Sequence, residues 1–450
     1  MKSKPCNIVF YFADQQRWDT LGCYGQTLPV TPNLDMLARE GSRFENAFTC
    51  QPVCGPARAC LQSGMYATQT GCYRNDIELP LNIKPLASFF IDAGYETAYV
   101  GKWHLASNVQ NGLDYTISPV PVERRGGYLD YWMASDVLEF TSHGYNGYVY
   151  DIHGKKHEFI GYRADCINNY AIDYLHQRKK ERPFFLFVSQ IEPHHQNDRN
   201  RYEGPDGSKR RFANYEVPGD LQGLQGDWKD NYPDYLGQCA CLDENVGRLV
   251  DTLKDLDEWE NTVFIYTSDH GSHFRTRNKE YKRSCHDSCT HIPLIICGPG
   301  FRGGKVRDEM VSLIDLPATL LDCAGIAKPD YFAGHSLRQL VCGEISSWPE
   351  SVFMQISESQ VGRAVRTKSW KYSVRADADG WTESCAKIYY EDFLYDLEAD
   401  PFERNNIVAD PFYADIRKNL AGLLMSHMEL AGECKPVILP SKAAHSVVAR

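Results

Sequence analysis

Four short apolar runs in this chain each lead, within a few residues, into ionisable or amide side chains. Residues 8–13 lead into Asp14-Gln15, and residues 97–100 into Lys102 and His104 across Gly101. Residues 183–189 come just before His194, and residues 262–267 lead into Asp269-His270 across Ser268. A fifth run covers residues 293–297. Apolar runs of this length, alternating with polar loops and helical stretches, predict an α/β fold built on a large, mostly parallel sheet flanked by helices. In such open sheets ligands bind beyond the carboxyl ends of the strands. Four strands therefore deliver polar groups to one edge, which predicts an active site there.

At 450 residues the chain can bury a large core and is expected to form two domains. Residues 1–340 read as the α/β catalytic domain and residues 341–450 as a smaller α+β domain, with a linker near residues 341–349. In the first part, Tyr235, Cys239, Leu242, Val246, Leu249 and Leu253 recur every three or four residues and predict a helix over 235–253. Another helix is expected to begin near Pro56, and residues 315–321 look helical. In the second part, short strands are expected over 351–356, 362–366, 370–374 and 393–395, and a final helix over 414–431.

A formal net charge of −11 leaves no basic excess to neutralise phosphates, so nucleic acid is excluded as the main partner. No apolar run approaches the length that crosses a bilayer, so no membrane span is expected. The start of the chain shows no signal-peptide pattern before its first strand. Sixteen cysteines on so long a chain then read as reduced thiols of a cytoplasmic protein, not as a disulfide framework. Oligomeric state has no marker in the sequence.

Cys54-Gly55-Pro56-Ala57-Arg58 forms a C-x-P-x-R pentapeptide. Cys54 would precede a proline-initiated helix, whose free N–H groups and dipole favour an anion. Arg58 lies one helical turn away, on the same face. Together with Gly101-Lys102-Trp103-His104 and the strand-end residues, this pattern resembles the sulfatase family from Asn7 to the Asp396–Phe402 segment.

The resemblance implies an alkaline-phosphatase-like fold and hydrolysis of a sulfate monoester to alcohol and inorganic sulfate. It implies that a formylglycine-generating maturation enzyme converts Cys54 to formylglycine, whose hydrated aldehyde supplies one hydroxyl to attack sulfur and a second to release sulfate. Asp14, Gln15, Asp269 and His270, with Cys54, would hold a divalent metal, Ca2+ by resemblance. Many sulfatases carry Asp-Asp and Asp-Asn at these two pairs, and the imidazole here also admits Mn2+ or another transition ion. Arg58 would fix the modified side chain, and Asp269 would help deprotonate its attacking hydroxyl. Lys102, Lys282 and Asn75 would bind sulfate oxygens, with Arg283 as the alternative to Lys282. His104 would orient or deprotonate the nucleophile, and His194, or His195 one register on, would protonate the leaving group.

The substrate would be a small-molecule or oligosaccharide sulfate ester, a sugar sulfate or an aryl or steroid sulfate. Two other readings stand beside this one. A phosphonate monoester or phosphodiester hydrolase of the same superfamily shares Asp-Gln with Asp-His. A non-catalytic sulfated-glycan binder would keep the pocket but needs no maturation motif. Cys285, His286, Cys289 and His291 lack the second C-x-x-C arm of a structural zinc site. Residues 130–132 and 139–143 are expected at the substrate rim.

Overall fold

The computed structural model describes residues 5–345 and 347–442. Eleven strands make one sheet: β1 (Asn7–Ala13), β2 (Ser42–Phe48), β3 (Glu96–Lys102), β4 (Tyr131–Ser135), β5 (Ser142–His143), β6 (Asn146–Asp151), β7 (Lys156–Ile160), β8 (Phe184–Ser189), β9 (Thr262–Ser268), β10 (Leu294–Cys297) and β11 (Lys305–Ser312). Its order is β11-β2-β10-β9-β1-β8-β3-β4-β6-β5, with β7 on β6. The central five, β9-β1-β8-β3-β4, are parallel. The run at 293–297 forms β10, which is antiparallel to both β9 and β2.

The central strands are buried on both faces, which is why they read as continuous apolar runs. Along β1, Ile8, Phe10 and Phe12 enter one apolar cluster, while Val9, Tyr11 and Ala13 enter another on the opposite face. The predicted helix at 235–253 is the middle of a longer one, Trp228–Asp255, and all six periodic residues are buried. Among the described residues, no helix is long and apolar enough to cross a membrane.

A second sheet of five strands follows: β12 (Ser351–Ile356), β13 (Val361–Thr367), β14 (Trp370–Ala376), β15 (Ile388–Asp396) and β16 (Val437–Leu439). The helix Ala414–Leu430 packs on it. Val341, the first residue of the expected linker, ends up inside the helix Leu337–Cys342.

At the seam between the sheets lies a buried ion cluster. Lys371 Nζ of β14 pairs with Asp287 Oδ1 and Glu403 Oε1, and Arg366 of β13 lies 3.3 Å from Asp287 Oδ2. Burial alone would raise Asp287, but Lys371 above all, then Arg366, hold it well below the usual carboxylate range. Asp287 follows the segment that carries Asp269, His270 and Lys282, so this cluster ties that segment to the smaller sheet.

Candidate active site

Strand register aligns the site. Phe12 of β1 sits opposite Ser189 of β8 and Thr267 of β9, and Ala13 opposite Ser268, so Asp14 and Asp269 leave adjacent strands side by side. Lys102 is the last residue of β3, one beyond Gly101, which pairs with Ser189. Gly101 has φ +103°, and a Cβ there would lie 1.9 Å from Ser189 O, so only glycine fits this approach.

The helix containing Pro56 begins at Cys54 itself, with Val53 as N-cap. Cys54 is thus inside the first turn rather than ahead of it. Its Sγ lies 3.3 Å from Asp14 Oδ1, 3.2 Å from His270 Nε2 and 2.9 Å from Lys282 Nζ. One turn on, Arg58 reaches Asp14 Oδ2 at 3.0 Å, Asp269 Oδ2 at 3.5 Å and Ser189 Oγ at 2.7 Å. Lys102 Nζ lies 2.6 Å from Asp14 Oδ2. Three cations face two carboxylates, so the pocket favours an anion.

The two carboxyls are held in different states. Burial would raise Asp14, but Lys102 above all holds it well below the usual range. Burial and then the charge of Asp14 push Asp269 up to about 7. Burial and then Asp14 push the Cys54 thiol up to about 12, so the unmodified sulfur is a poor nucleophile at neutral pH.

Asp14, Cys54, Asp269 and His270 place ligand atoms within 4.8 Å of one another, and all four are buried. Burial and then Lys282 hold His270 well below its ordinary value, hence neutral. Its Nδ1 lies 2.9 Å from Gly271 O, which can only accept, so the proton sits on Nδ1 and Nε2 presents a lone pair. That lone pair faces Asp269 Oδ1 at 3.6 Å and Asp14 Oδ1 at 3.9 Å. With a neutral imidazole these contacts are not ion pairs, and the convergent electron pairs call for a cation between them. Gln15 Nε2 donates to Tyr202 at 2.8 Å, leaving Oε1 buried without a partner. Tyr235 fixes this turn, donating to Gln15 O at 2.6 Å and accepting from Arg17 N at 2.8 Å. The donor set fits a divalent metal.

The paired alternatives left by the sequence have different surroundings. His194 Nε2 lies 3.2 Å from Lys282 Nζ, whereas His195 packs on Tyr281 with ring centroids 4.5 Å apart and pairs with Asn197. Lys282 enters the pocket, while Arg283 pairs with Glu280 and Glu358. His104 is held by its N–H on Asp136 O at 2.7 Å, and its Nδ1 is buried without a partner. Asn75 Oδ1 accepts from Gly55 N at 3.0 Å. One N–H of the helix start is therefore already taken by a side-chain oxygen.

Parts of the expected rim lie elsewhere. Trp132 is buried in the aromatic core, stacked on Tyr99 at 5.3 Å, and Asp130 pairs with Arg182. An aromatic on a strand covered on both faces goes to the core. His143 pairs with Asp198 at 2.8 Å. Glu139 is buried with Oε2 3.9 Å from His194 Nδ1, behind the site rather than on its rim. The cysteines and histidines at 285–291 disperse: Cys285 faces Ser373, His286 faces Tyr395, and His291 stacks between Trp18 and Phe48.

Three carboxylates had no sequence signal. Asp136 accepts the N–H groups of Leu105, Ala106 and Ser107, shaping the turn after His104. Glu358 accepts from Asn75 N at 2.7 Å, and Glu192 holds Arg163 at 2.8 Å. Each holds a segment distant in sequence.

Comparison with known proteins agrees with this geometry. The Sulfatase family matches residues 6–326, and the C-terminal family of N-sulphoglucosamine sulphohydrolase matches residues 279–429. An uncharacterized sulfatase of Escherichia coli, YidJ, is 32% identical, covering 95% of this chain and 88% of its own. An N-acetylglucosamine-6-O-sulfatase of Bacteroides thetaiotaomicron is 27% identical over 94% of this chain and 86% of its own. Among solved structures, the yidJ protein of Bacteroides fragilis superposes with TM-score 0.83 at 26% identity, covering 96% of this chain and 97% of its own. BT4656, solved with its substrate D-glucosamine-2-N,6-O-disulfate, gives TM-score 0.76 at 24% identity over 96% and 99%. With the family matched over most of its length and its acid, base and cation groups gathered at one strand edge, the chain belongs to the sulfatase family and is a sulfuric ester hydrolase.

Proposed function

We propose that this enzyme removes sulfate from a sulfated sugar, using formylglycine formed from Cys54 and a divalent metal held by Asp14, Gln15, Asp269, His270 and residue 54. The observation that carries the reading is the position of Cys54, where Asp14, His270 and Lys282 meet around one buried side chain. When formed, the hydrated aldehyde supplies a hydroxyl to attack sulfur and a second whose proton loss releases sulfate. A divalent metal bound there would supply Lewis-acid polarisation of a sulfate oxygen. An oxygen-rich donor set supports Ca2+, and the imidazole of His270 makes Mn2+ the alternative.

The remaining steps belong to the chain's own groups. Lys102, Lys282 and the Asn75 amide bind sulfate oxygens. Arg58 holds Asp14 and Asp269 in place, and Asp269 takes the proton of the attacking hydroxyl. His104, neutral through burial and then the nearby Lys102, accepts the proton that frees sulfate. His194, neutral in the free protein through burial and then the nearby Lys282, protonates the departing alcohol once the negative charge of the bound sulfate ester lets it take up a proton. A sugar substrate is supported by the relatives, which include the N-acetylglucosamine-6-O-sulfatase and two ulvan-active sulfatases. A reducing, cytoplasmic setting is part of the proposal and is supported by sixteen cysteines that all stand as free thiols.

The test is turnover of an aryl sulfate against the matching aryl phosphonate monoester, after co-expression with a formylglycine-generating enzyme and with Cys54→Ala as blank. A higher kcat/KM for the sulfate, abolished in the blank, is expected, together with formylglycine in the peptide mass of residue 54. A preference for the phosphonate would overturn the reading. That chemistry occurs on the same fold: the phosphonate monoester hydrolase of Agrobacterium radiobacter superposes with TM-score 0.69 at 21% identity.

A further inference from the structure

Beside the sulfate pocket the smaller sheet contributes an exposed tryptophan flanked by two guanidinium groups. Trp381, in the turn between β14 and β15, is 44% exposed. Arg74 lies 5.7 Å and Arg283 6.0 Å from its ring centre. The turn is braced: Tyr73 donates to Trp381 O at 3.3 Å, and Glu358 N donates to Gly380 O at 3.1 Å. Both arginines are sequence neighbours of pocket residues, Arg74 of Asn75 and Arg283 of Lys282.

The two differ in how their charge is met. Arg283 is balanced by Glu280 and Glu358. Arg74 is only 7% exposed, yet its hydrogen bonds go to two neutral oxygens, Asn75 O at 2.8 Å and Gln110 Oε1 at 3.1 Å. Its Nε is buried without a partner, and no carboxylate among the described residues pairs with it. A nearly buried guanidinium with no counter-charge carries a desolvation cost that a bound anion would offset. In the proposed reading the scissile sulfate is bound by Lys102, Lys282 and Asn75, which leaves Arg74 without an assigned partner. Gly55, next to residue 54, is so close to Asn75 that a Cβ on it would lie 3.6 Å from Asn75 Cα. Arg74 is the residue before Asn75, its Cα about 3.8 Å from that of Asn75.

We propose that Arg74, beside Trp381, forms a second anion subsite, so that the preferred substrate is a sugar carrying another negative group besides the scissile sulfate. Trp381 offers an apolar surface for the C–H face of the pyranose, and Arg74 binds the second anion through its paired N–H groups. That anion is either a second sulfate on the same sugar or the carboxylate of an adjoining uronate. The inference rests on the reading of the pocket as a sugar-sulfate site.

Calorimetry on full-length Cys54→Ala protein tests it without turnover, so failure of the formylglycine reading is separately visible in the aryl sulfate assay. The probes are glucosamine-6-O-sulfate, glucosamine-2-N,6-O-disulfate and a uronate-linked glucosamine-6-O-sulfate disaccharide. At least one doubly charged probe is expected to bind tenfold or more tighter than the monosulfate, and which one does so identifies the anion. Adding Arg74→Gln should reduce that ratio to within about twofold of unity, and Arg74→Lys should restore part of it. Thermal melting shows that each variant is folded, and Trp381→Ala, on the exposed turn, is the companion variant expected to weaken all three sugars alike. A ratio near one in the parent, or a ratio that survives Arg74→Gln in folded protein, overturns the proposal.

Discussion

Lys282 Nζ lies 2.9 Å from Cys54 Sγ, although 228 residues separate them in the chain. It is buried, and it also touches His194, so one ammonium links the side chains of Cys54 and His194. Lys282→Met keeps the length of the side chain and removes the charge. We expect kcat to fall by roughly 10²–10³, the size of effect seen on removing one stabilising donor from an active site. Steady-state kinetics on an aryl sulfate checks this, and a loss confined to KM would place Lys282 in ground-state binding only.

His194 and His195 are adjacent in sequence but differ in surroundings. His194→Asn should depress turnover far more for sulfates of sugar alcohols than for nitrophenyl sulfate, whose leaving group needs no acid. His195→Asn should lack that dependence on the leaving group, since its ring packs on Tyr281 and Tyr202. Equal leaving-group sensitivity in both variants would remove the acid role from His194.

Stripping the protein with a chelator should lower its melting temperature, because Asp14 and Asp269 would then face each other with less compensation. Ca2+ or Mn2+ should restore it. His270→Asn exchanges the one nitrogen donor for oxygen and should move the preference toward Ca2+. Melting curves across a metal series read this directly, and an unchanged order of metals would show that His270 does not select the ion.

Acid should destabilise the fold through its buried neutral histidines. Burial holds His273 near about 3 and His291 near about 4, and places His104, His194 and His270 well below the ordinary value. A depressed folded pKa gives stability that is complete above the unfolded value of about 6.5 and is lost as pH falls toward the folded value. Each such group can cost on the order of 1–2 kcal/mol by pH 5. Asp269 has the opposite sign, since its raised value of about 7 makes it most favourable below the unfolded carboxylate range. It offsets only part of the histidine effect. The urea midpoint should therefore drop between pH 7 and pH 5, and a flat profile would count against buried neutral imidazoles.

Lys371→Met should destabilise the chain by about 3–5 kcal/mol, because it leaves Asp287 and Glu403 buried without their shared cation. Pairing it with Asp287→Asn and Glu403→Gln should recover much of the loss. Chemical denaturation of the single and triple variants distinguishes a charge effect from a packing effect.

The sheet edge was legible because doubly covered strands leave continuous apolar runs, and the polar residues after Ala13, Val100, Ser189 and Thr267 stand out against them. The helix over 235–253 was legible through its buried stripe. Its first turns, with Pro233 and Trp228, were not, since proline breaks the usual pattern while remaining tolerable near a helix start. The direction of β10 was hidden, because an apolar tetrapeptide has no polarity that a reader can see. Asp136, Glu192 and Glu358 were hidden for another reason: each acts on a segment brought near only by folding, and nothing in its own neighbours marks it. Trp132 misled because an aromatic beside polar residues suits a sugar rim and a core strand equally well.

Burial of Cys54 also imposes an order in time. At 1% exposure it is out of reach of any second protein once the segment from Asp269 to Lys282 has closed over it. That segment is made more than two hundred residues after Cys54 and is fastened by Lys371, later still. Under the proposed maturation, an enzyme acting on this thiol would have to meet it on the growing or unfolded chain, so competence would be decided before folding is complete. A copy that folded first would lack the modified residue, and faster folding would then yield less active enzyme.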